Sequence, residues 1–268
     1  MYEKVPGAEV FLDGKLSLTR RKKTEICNIR GEYHINRDWS QKNKKYRLCS
    51  EENPLTGRRF HMRNRKEEIL TVALHLFARD GYEAVSVSQI AGELDMTKGA
   101  LYRHYKSKRD IFDCIVERME QGDSEQAAEY DMPEDDKASK PDQYKTVSLE
   151  EFVEYSKSMF VYWTEDDFAA SFRKMLTIEQ FRSEEMQGLY QQYLSSGPAT
   201  YVKDLFESLG IAHAEENAVR FYATMYFYYS VYDGADDKEK VKNEFASAIG
   251  SMAQEWIKQP KLTQIRKS

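Results

Sequence analysis

The stretch "MTKGALYRHYKSKRDIF", residues 96–112, gathers basic and aromatic side chains within one short helical pattern. The chain of 268 residues nevertheless has a formal net charge of -5 at pH 7. The charge is unevenly distributed: residues 1–61 are net basic, residues 62–120 are balanced, and residues 121–268 are strongly acidic. The function of this stretch, and not the net charge of the whole chain, must therefore explain why basic side chains are concentrated in it.

Residues that favour helix starts divide the region around this stretch into short helices. Thr97 is a favourable N-cap for a helix over residues 98–105. Ser86 and Gln89 have the spacing of a capping box, which predicts another short helix over residues 87–93. The two predicted helices are therefore separated by only a few residues.

A longer helix is predicted before this pair, over residues 64–80. Its apolar positions repeat with helical spacing, and this inward stripe consists of Ile69, Ala73, Leu76 and Phe77. Gly81 follows in the position where many helices end in a left-handed residue. Asp95 tolerates left-handed geometry in the turn between the two short helices, and Ser107 is the predicted N-cap of a fourth helix.

Two short helices joined by a tight turn and braced by a preceding helix form a helix-turn-helix. Such a motif places the N-terminal residues of its second helix in the major groove of double-stranded DNA. Tyr105 is predicted to be a core residue, whereas Tyr102 is predicted to face the DNA. The predicted DNA-binding residues are Ser86, Ser88, Gln89, Thr97, Lys98, Gly99, Tyr102, Arg103, His104 and Lys108.

This region resembles the N-terminal signature of the tetracycline-repressor (TetR) family of bacterial transcription regulators. The resemblance covers about residues 65–118, and its main motifs are Gly81-Tyr82, Thr97-Lys98-Gly99 and Lys106-Ser107-Lys108. The chain departs from the family at Val85, where the family usually has Thr, which removes a side chain that could contact phosphate. It also departs at Leu94 and Asp95, where the family often has Ala-Gly.

Composition favours a globular helical protein of the cytoplasm. Apolar residues make up 41% of the chain, which is enough to form a core. No run of 18 apolar residues and no signal peptide is found, so we expect no membrane partner. The 3 cysteines are widely spaced and form no CxxC pair, so neither a disulfide framework nor a metal site is predicted.

The first 61 residues show no sustained helical or strand periodicity. Met62 is followed at once by a helical pattern, so we expect translation to begin there and residues 1–61 to be upstream sequence. The alternative is a disordered basic arm that adds nonspecific affinity for DNA.

The remaining chain is also predicted to be helical, which makes the fold all-α. Residues 121–147 are predicted to be a frayed helix end followed by an exposed loop. Six further helices are expected at about 149–163, 165–181, 184–194, 198–209, 214–232 and 237–258. We therefore expect a helix-turn-helix DNA-binding domain over residues 62–108. We expect a helical ligand-binding and dimerisation domain over residues 109–268, with the fourth helix as connector.

Resemblance to the family implies a homodimer formed by the last two helices and a pocket for a small-molecule effector. The segment "RFYATMYFYYSVY", residues 220–232, is apolar nearly all round and must be covered on several sides. Buried tyrosines would suit a planar or amphipathic ligand. The candidate pocket residues are Phe152, Tyr155, Met159, Trp163, Phe172, Met175, Phe181, Tyr190, Tyr222 and Tyr226.

The function expected from these features is that of a repressor released from its operator by a small molecule. A co-repressor-dependent regulator or an activator remains an alternative. An enzyme is a remote alternative, because the sequence contains no GxSxG, GxxxxGK or HExxH motif. His213 and Glu216 have H-x-x-E spacing but lack a third ligand, so they are interpreted as a solvated helix start. No cofactor and no metal ion is predicted.

Overall fold

The computed structural model describes residues 57–132 and 147–258, and every regular element within these ranges is an α-helix. The expectations for residues 1–56 and for most of the predicted loop at 133–146 lie outside the described residues. In chain order the helices are α1 (Gly57–Asp80), α2 (Val87–Glu93), α3 (Lys98–Leu101), α4 (Lys108–Glu129), α5 (Leu149–Glu165), α6 (Asp167–Glu179), α7 (Glu184–Leu194), α8 (Ser196–Ser208), α9 (Ala214–Gly234) and α10 (Lys238–Lys258). Within the described ranges, no helix is long and apolar enough to cross a membrane.

The predicted N-caps start their helices as expected. The Ser86 hydroxyl accepts a hydrogen bond from the Gln89 amide, and the Gln89 side chain accepts one in return from the Ser86 amide. Thr97 caps α3 through the Ala100 amide, and Ser107 caps α4 through the Asp110 amide. Because each cap satisfies an amide that the helix itself leaves unpaired, these residues set the starting points of α2, α3 and α4.

The two predicted left-handed turn residues also have the expected conformation. Gly81 follows α1 with φ +89°, and its amide donates to the Phe77 carbonyl over 2.9 Å. Asp95 lies between α2 and α3 with φ 51°. The turn therefore accommodates an aspartate where the resemblance suggests Gly.

Several helix boundaries differ from the prediction. The helix predicted over 98–105 ends at Leu101, because the next amides bond back to carbonyls at shorter spacing: Arg103 donates to Ala100 and His104 donates to Leu101. The fourth helix continues to Glu129 through residues predicted to be frayed. Pro198 lies in the third position of α8 and not the first, since α8 begins at Ser196.

One hydrophobic core runs through both halves of the described chain. The stripe predicted for α1 is buried, and its four residues are 0 to 4% exposed. Tyr105 is buried as predicted, and its hydroxyl donates to the Lys66 carbonyl over 3.2 Å. Thus α2 and α3 are held on α1 and α4 by apolar side chains, which leaves their polar faces outside.

A buried carboxylate joins the helix-turn-helix to the rest of the molecule. Glu179 at the end of α6 is 1% exposed and accepts a hydrogen bond of 3.1 Å from the Tyr82 amide. A Cβ atom on Gly81 would lie 2.8 Å from the same carboxylate oxygen. Glycine suits position 81 for two reasons: it adopts a positive φ without strain, and it has no Cβ atom to clash with the Glu179 carboxylate.

We predict that Gly81→Ala lowers the free energy of unfolding more than Gly210→Ala does. Gly210 also has a positive φ, +71°, but a Cβ atom there would meet nothing within 4 Å. Both changes should cost about 1–2 kcal/mol for the left-handed backbone. Gly81→Ala should cost about 1 kcal/mol more because it displaces Glu179 from the Tyr82 amide. Urea unfolding measures both losses, and equal losses would contradict the crowding at Gly81.

Candidate nucleic-acid interface and aromatic clusters

The outer face of α3 presents polar, basic and aromatic groups over a buried anchor. Leu101 is 0% exposed and fixes the helix to the core, whereas Tyr102 is 44% exposed. Thr97, Lys98 and Gly99 are exposed at the helix start, and the Lys98 ammonium lies 5.8 Å from the Tyr102 ring centre. Nothing lies within 4 Å of the position that a Gly99 Cβ would occupy. A duplex could therefore approach the backbone closely at this point.

On α2, the predicted contact residues divide into two groups. Ser86 and Gln89 are exposed, but their side chains are used in the reciprocal cap. Ser88 is exposed on the same helix. Val85 is 1% exposed, so the side chain that departs from the family pattern packs in the core.

His104 lies at the far end of this face, beside other cations. Burial, followed by the charges of Lys66, Arg65 and Arg103, lowers the pKa of His104. Its Nδ1 is closed to solvent and has no hydrogen-bond partner within the described ranges. Arg103 is exposed next to it. At neutral pH the positive charge of this end therefore comes from the arginine and lysine side chains.

The Lys108 ammonium, one of the predicted DNA contacts, forms hydrogen bonds within the protein. It donates to the Tyr82 carbonyl over 2.7 Å and to the Glu83 carbonyl over 3.3 Å. It also lies 4.3 Å from the centre of the Tyr82 ring. Lys108 therefore ties the start of α4 to the loop that follows α1, and its three donors are largely occupied there.

The predicted pocket residues form separate aromatic groups. Phe152 packs against Phe206 and Phe221 with ring centres 5.2 and 5.0 Å away, which is core packing. The Tyr190 and Tyr226 hydroxyls are 2.8 Å apart, with Tyr190 half-buried. Tyr222 is 9% exposed, while Trp163, Phe172 and Met175 are 5% exposed or less. Met159 and Tyr155 are half-buried.

Phe181 does not belong to any of these groups, because it is 88% exposed. It follows α6 on the loop to α7, where the chain turns outward after Glu179. The sequence prediction extended the helix to residue 181 and counted Phe181 among the candidate pocket residues. The helix ends two residues earlier, which puts the side chain in solvent.

The structure adds three polar groups that the sequence analysis missed: Asp123 on α4, Tyr162 on α5 and Tyr193 on α7. Burial, followed by the charge of Glu120, raises the pKa of Asp123 to about 7. Tyr193 packs edge-on against Phe172 with ring centres 5.1 Å apart. Tyr162 could have been found from its spacing of seven residues after Tyr155, which places both on one helix face. Within the residues described, no group of three or more acidic, histidine or cysteine side chains could hold a metal ion.

Comparison with known proteins finds a family match in the part of the chain that contains the helix-turn-helix. Residues 69–115 match the family described as bacterial regulatory proteins, tetR family. The nucleoid occlusion factors SlmA of Escherichia coli O1:K1 and of Klebsiella pneumoniae are each 41% identical over 59 residues, 22% of this chain and 30% of theirs. The chain therefore matches less than a third of the length of these curated relatives.

Two solved structures align over more of the chain. Salmonella enterica GusR has 21% identity and a TM-score of 0.48, with 77% of this chain and 100% of that chain covered. A TetR-family transcriptional regulator from Pectobacterium atrosepticum has 17% identity and a TM-score of 0.44, with 75% and 98% covered.

We predict that Lys108→Met lowers the free energy of unfolding by about 1–2 kcal/mol, because the loop carbonyls and the Tyr82 ring lose their cation. Lys98→Met is the matched control. Lys98 is exposed, so its loss should change stability by less than about 0.5 kcal/mol. Urea unfolding of the two variants tests this, and similar losses would show that the Lys108 contacts contribute nothing specific.

Proposed function

Because the chain carries the helix-turn-helix domain of the tetR family of bacterial regulatory proteins, we propose that it is a ligand-responsive transcriptional regulator. In this proposal residues 62–108 bind operator DNA, and residues 109–268 bind an effector and form a homodimer. The observation that carries the proposal is the outer face of α3, which exposes Thr97, Lys98 and Tyr102 directly above the buried Leu101.

The exposed residues of this face have distinct proposed roles. Thr97 is the N-cap of α3, Gly99 lies within the helix and Tyr102 is its C-cap, and we assign the reading of base edges to these three residues. Lys98, Arg103 and Ser88 are exposed and suited to phosphate oxygens, which position the protein without reading sequence. The side chains of Ser86 and Gln89 cap the start of α2. In this proposal the backbone at these two residues approaches a phosphate.

A second copy of the chain is the proposed cover for the outer side of α9 and α10. Phe227 and Val219 are 61% and 56% exposed and are eight residues apart on α9, which places them on the same face. Ile257 on α10 is also 56% exposed. An ion pair of 3.2 Å between Arg220 and Glu255 brings this end of α10 beside α9. Large apolar groups exposed together on paired helices support a dimer interface.

Ligand control is proposed to act through the position of the helix-turn-helix. Recognition helices of a dimer must lie ~34–36 Å apart to enter successive major grooves. A ligand among the aromatic side chains could move α4 or α6 and so change this spacing. Binding and release must then be coupled reciprocally, typically by ~1–3 kcal/mol. The proposed outcome is a repressor that leaves its operator when the effector binds.

The experiment that tests this function begins with selection of bound duplexes from a random library by the purified protein. We expect a pseudo-palindromic sequence that binds at least ~1000-fold more tightly than random duplex. Compounds that raise the unfolding temperature are then tested for their effect on operator affinity. Absence of a preferred duplex would contradict the regulator. A ligand that leaves operator affinity unchanged or raises it would contradict derepression and favour the co-repressor or activator alternative.

We predict that Tyr102→Ala lowers affinity for the selected operator more than for random duplex, because a lost base contact costs ~1–3 kcal/mol. Thr97→Ala should do the same but also removes the cap of α3. Thr97→Ser keeps the capping oxygen and separates the two effects. Fluorescence anisotropy with both duplexes measures the ratio. Equal losses on the two duplexes would contradict base reading by Tyr102.

We also predict that Phe227→Asp shifts the protein from dimer to monomer and weakens operator binding. A buried aromatic anchor at an interface contributes ~2 kcal/mol or more. Phe181→Asp is the matched control, because Phe181 is 88% exposed but lies between α6 and α7. Sedimentation velocity measures the assembly state. A dimer that survives Phe227→Asp but is lost in Phe181→Asp would place the interface elsewhere.

A further inference from the structure

One face of α4 carries a row of carboxylates that enters the protein. Glu117, Glu120 and Asp123 follow each other at intervals of three residues, so they are neighbours on the helix surface. Glu120 is exposed, whereas Asp123 is half-buried. Oδ1 of Asp123 is closed to solvent and has no hydrogen-bond partner among the residues described. The row therefore leads from solvent to a carboxylate oxygen that has no partner within the described ranges.

A second unpaired polar atom lies on the opposite wall. Tyr193 of α7 is 8% exposed, and its hydroxyl has no hydrogen-bond partner among the described residues. The negative charges of Glu120 and Asp123 act on this hydroxyl and, together with burial, hold the pKa of Tyr193 well above its usual value. The Tyr193 hydroxyl therefore lies within the electrostatic influence of Asp123, and among the described residues neither this hydroxyl nor Oδ1 of Asp123 has a hydrogen-bond partner.

Aromatic rings surround these two groups. Tyr162 lies against α4 at Gly122, where a Cβ atom would overlap its hydroxyl. Trp163 is 6.4 Å from Tyr193 between ring centres. Tyr155 is half-buried on the same side of α5 and packs 5.8 Å from Tyr130. Aromatic rings from the end of α4 and from α5 and α7 thus lie near a carboxylate oxygen that has no hydrogen-bond partner among the described residues.

Two arginines whose charges act on tyrosines of this group, Arg118 on Tyr162 and Arg173 on Tyr229, have other partners. Arg173 makes two hydrogen bonds of 2.8 Å with Asp233 and donates to the Trp163 carbonyl over 3.0 Å. Arg118 lies 3.8 Å from the Phe168 ring centre and pairs with Glu67. A buried carboxylate without a cation or donor is costly. The described residues around Asp123 therefore favour a cation supplied by a ligand.

We propose that Asp123, Tyr193 and the rings of Tyr155, Tyr162 and Trp163 form a binding site for a hydrophobic organic monocation. The ligand class is an ammonium or phosphonium ion attached to an apolar or aromatic body. The carboxylate neutralises its charge, and the ring faces attract it further. This inference rests on the proposed function, because it names the chemical class of the effector. Anions of the same shape are excluded by Asp123 and Glu120.

The test uses a pair of ions with the same shape and opposite charge. Tetraphenylphosphonium and tetraphenylborate are titrated into the full-length protein, and binding is followed by calorimetry. A smaller cation, benzyltrimethylammonium, covers the case of a narrow site. We expect at least one cation to bind and tetraphenylborate not to bind. Failure of both cations to bind, or tighter binding of the borate, would overturn the proposal.

Substitution of the carboxylate locates the site. Asp123→Asn keeps the shape and removes the charge, and should weaken binding of the cation by about tenfold or more. Glu129→Gln is the matched control, because Glu129 is exposed near the end of the same helix. Unchanged cation affinity in Asp123→Asn, or equal losses in both variants, would overturn the assignment to Asp123. Circular dichroism checks that both variants are folded.

The pH dependence of cation affinity gives a second test, because it would not be seen if Asp123 had only a structural role. Since the pKa of Asp123 is raised to about 7, the acid loses its charge as the pH falls. Cation affinity should therefore drop about tenfold between pH 8 and pH 6 in the wild type, and this drop should be absent in Asp123→Asn. The other titratable groups facing Asp123 are Glu120, Tyr155, Tyr162, Tyr193 and Tyr229. The raised pKa of each tyrosine keeps it neutral in this range, and a pH-independent wild type would contradict the site.

Operator affinity is measured separately, so that the two proposals can fail independently. Asp123→Asn should bind operator as the wild type does in the absence of any cation, because Asp123 lies far along α4 from α3. A cation that binds at Asp123 but leaves operator affinity unchanged would support the site and contradict ligand control. A protein without specific DNA binding that still binds the cation would contradict the proposed function alone.

Discussion

The hydrogen bond between the Tyr82 amide and the buried carboxylate of Glu179 fixes the helix-turn-helix to the rest of the protein. Several features fix the loop that contains this amide. Gly81 has φ +89°, and the centre of the Tyr82 ring lies 5.1 Å from the ring centres of both Phe77 and Phe112. Arg182 approaches the same carboxylate at 3.4 Å, so the buried charge is compensated on both sides. Since α2 and α3 follow directly from this loop, their position depends on where α6 lies.

Helix α6 has partners at both ends, so the proposed ligand control would have two physical connections and not only α4. Near its start, His75 of α1 meets Asp167 at 2.8 Å. In its middle, Arg173 binds Asp233 of α9 and lies 5.0 Å from the Tyr229 ring centre. A shift of the aromatic residues on α9 would therefore reach the recognition helix through packed, charged contacts, with no need for α4 to bend. Such chains of contacts matter only when the element between them has two positions.

Local chemistry explains which parts of the fold could be predicted from sequence. Caps such as Ser86 and Ser107, and apolar stripes such as that of α1, act within one helix, and the structure contains them as expected. The role of Lys108 and the burial of Glu179 depend on residues 26 and 97 positions away. Sequence spacing carries no information about such pairs. The same limit hid Asp123 and Tyr193, because the burial of their polar atoms without a hydrogen-bond partner among the described residues follows from tertiary packing.

The contacts of α6 and α7 set a rule for building hybrid regulators. A cut after Asp110 would transfer the helix-turn-helix with Arg109 but without Glu179, and without Glu185, whose carboxylate holds Arg109 through hydrogen bonds of 2.8 and 2.5 Å. On a new host protein, the transferred helix-turn-helix would have an unsatisfied Tyr82 amide and an unpaired Arg109 guanidinium. The new host must therefore offer hydrogen-bond acceptors to the Tyr82 amide and to the Arg109 guanidinium. The unit that can be exchanged is defined by complementary surfaces and not by a point along the chain.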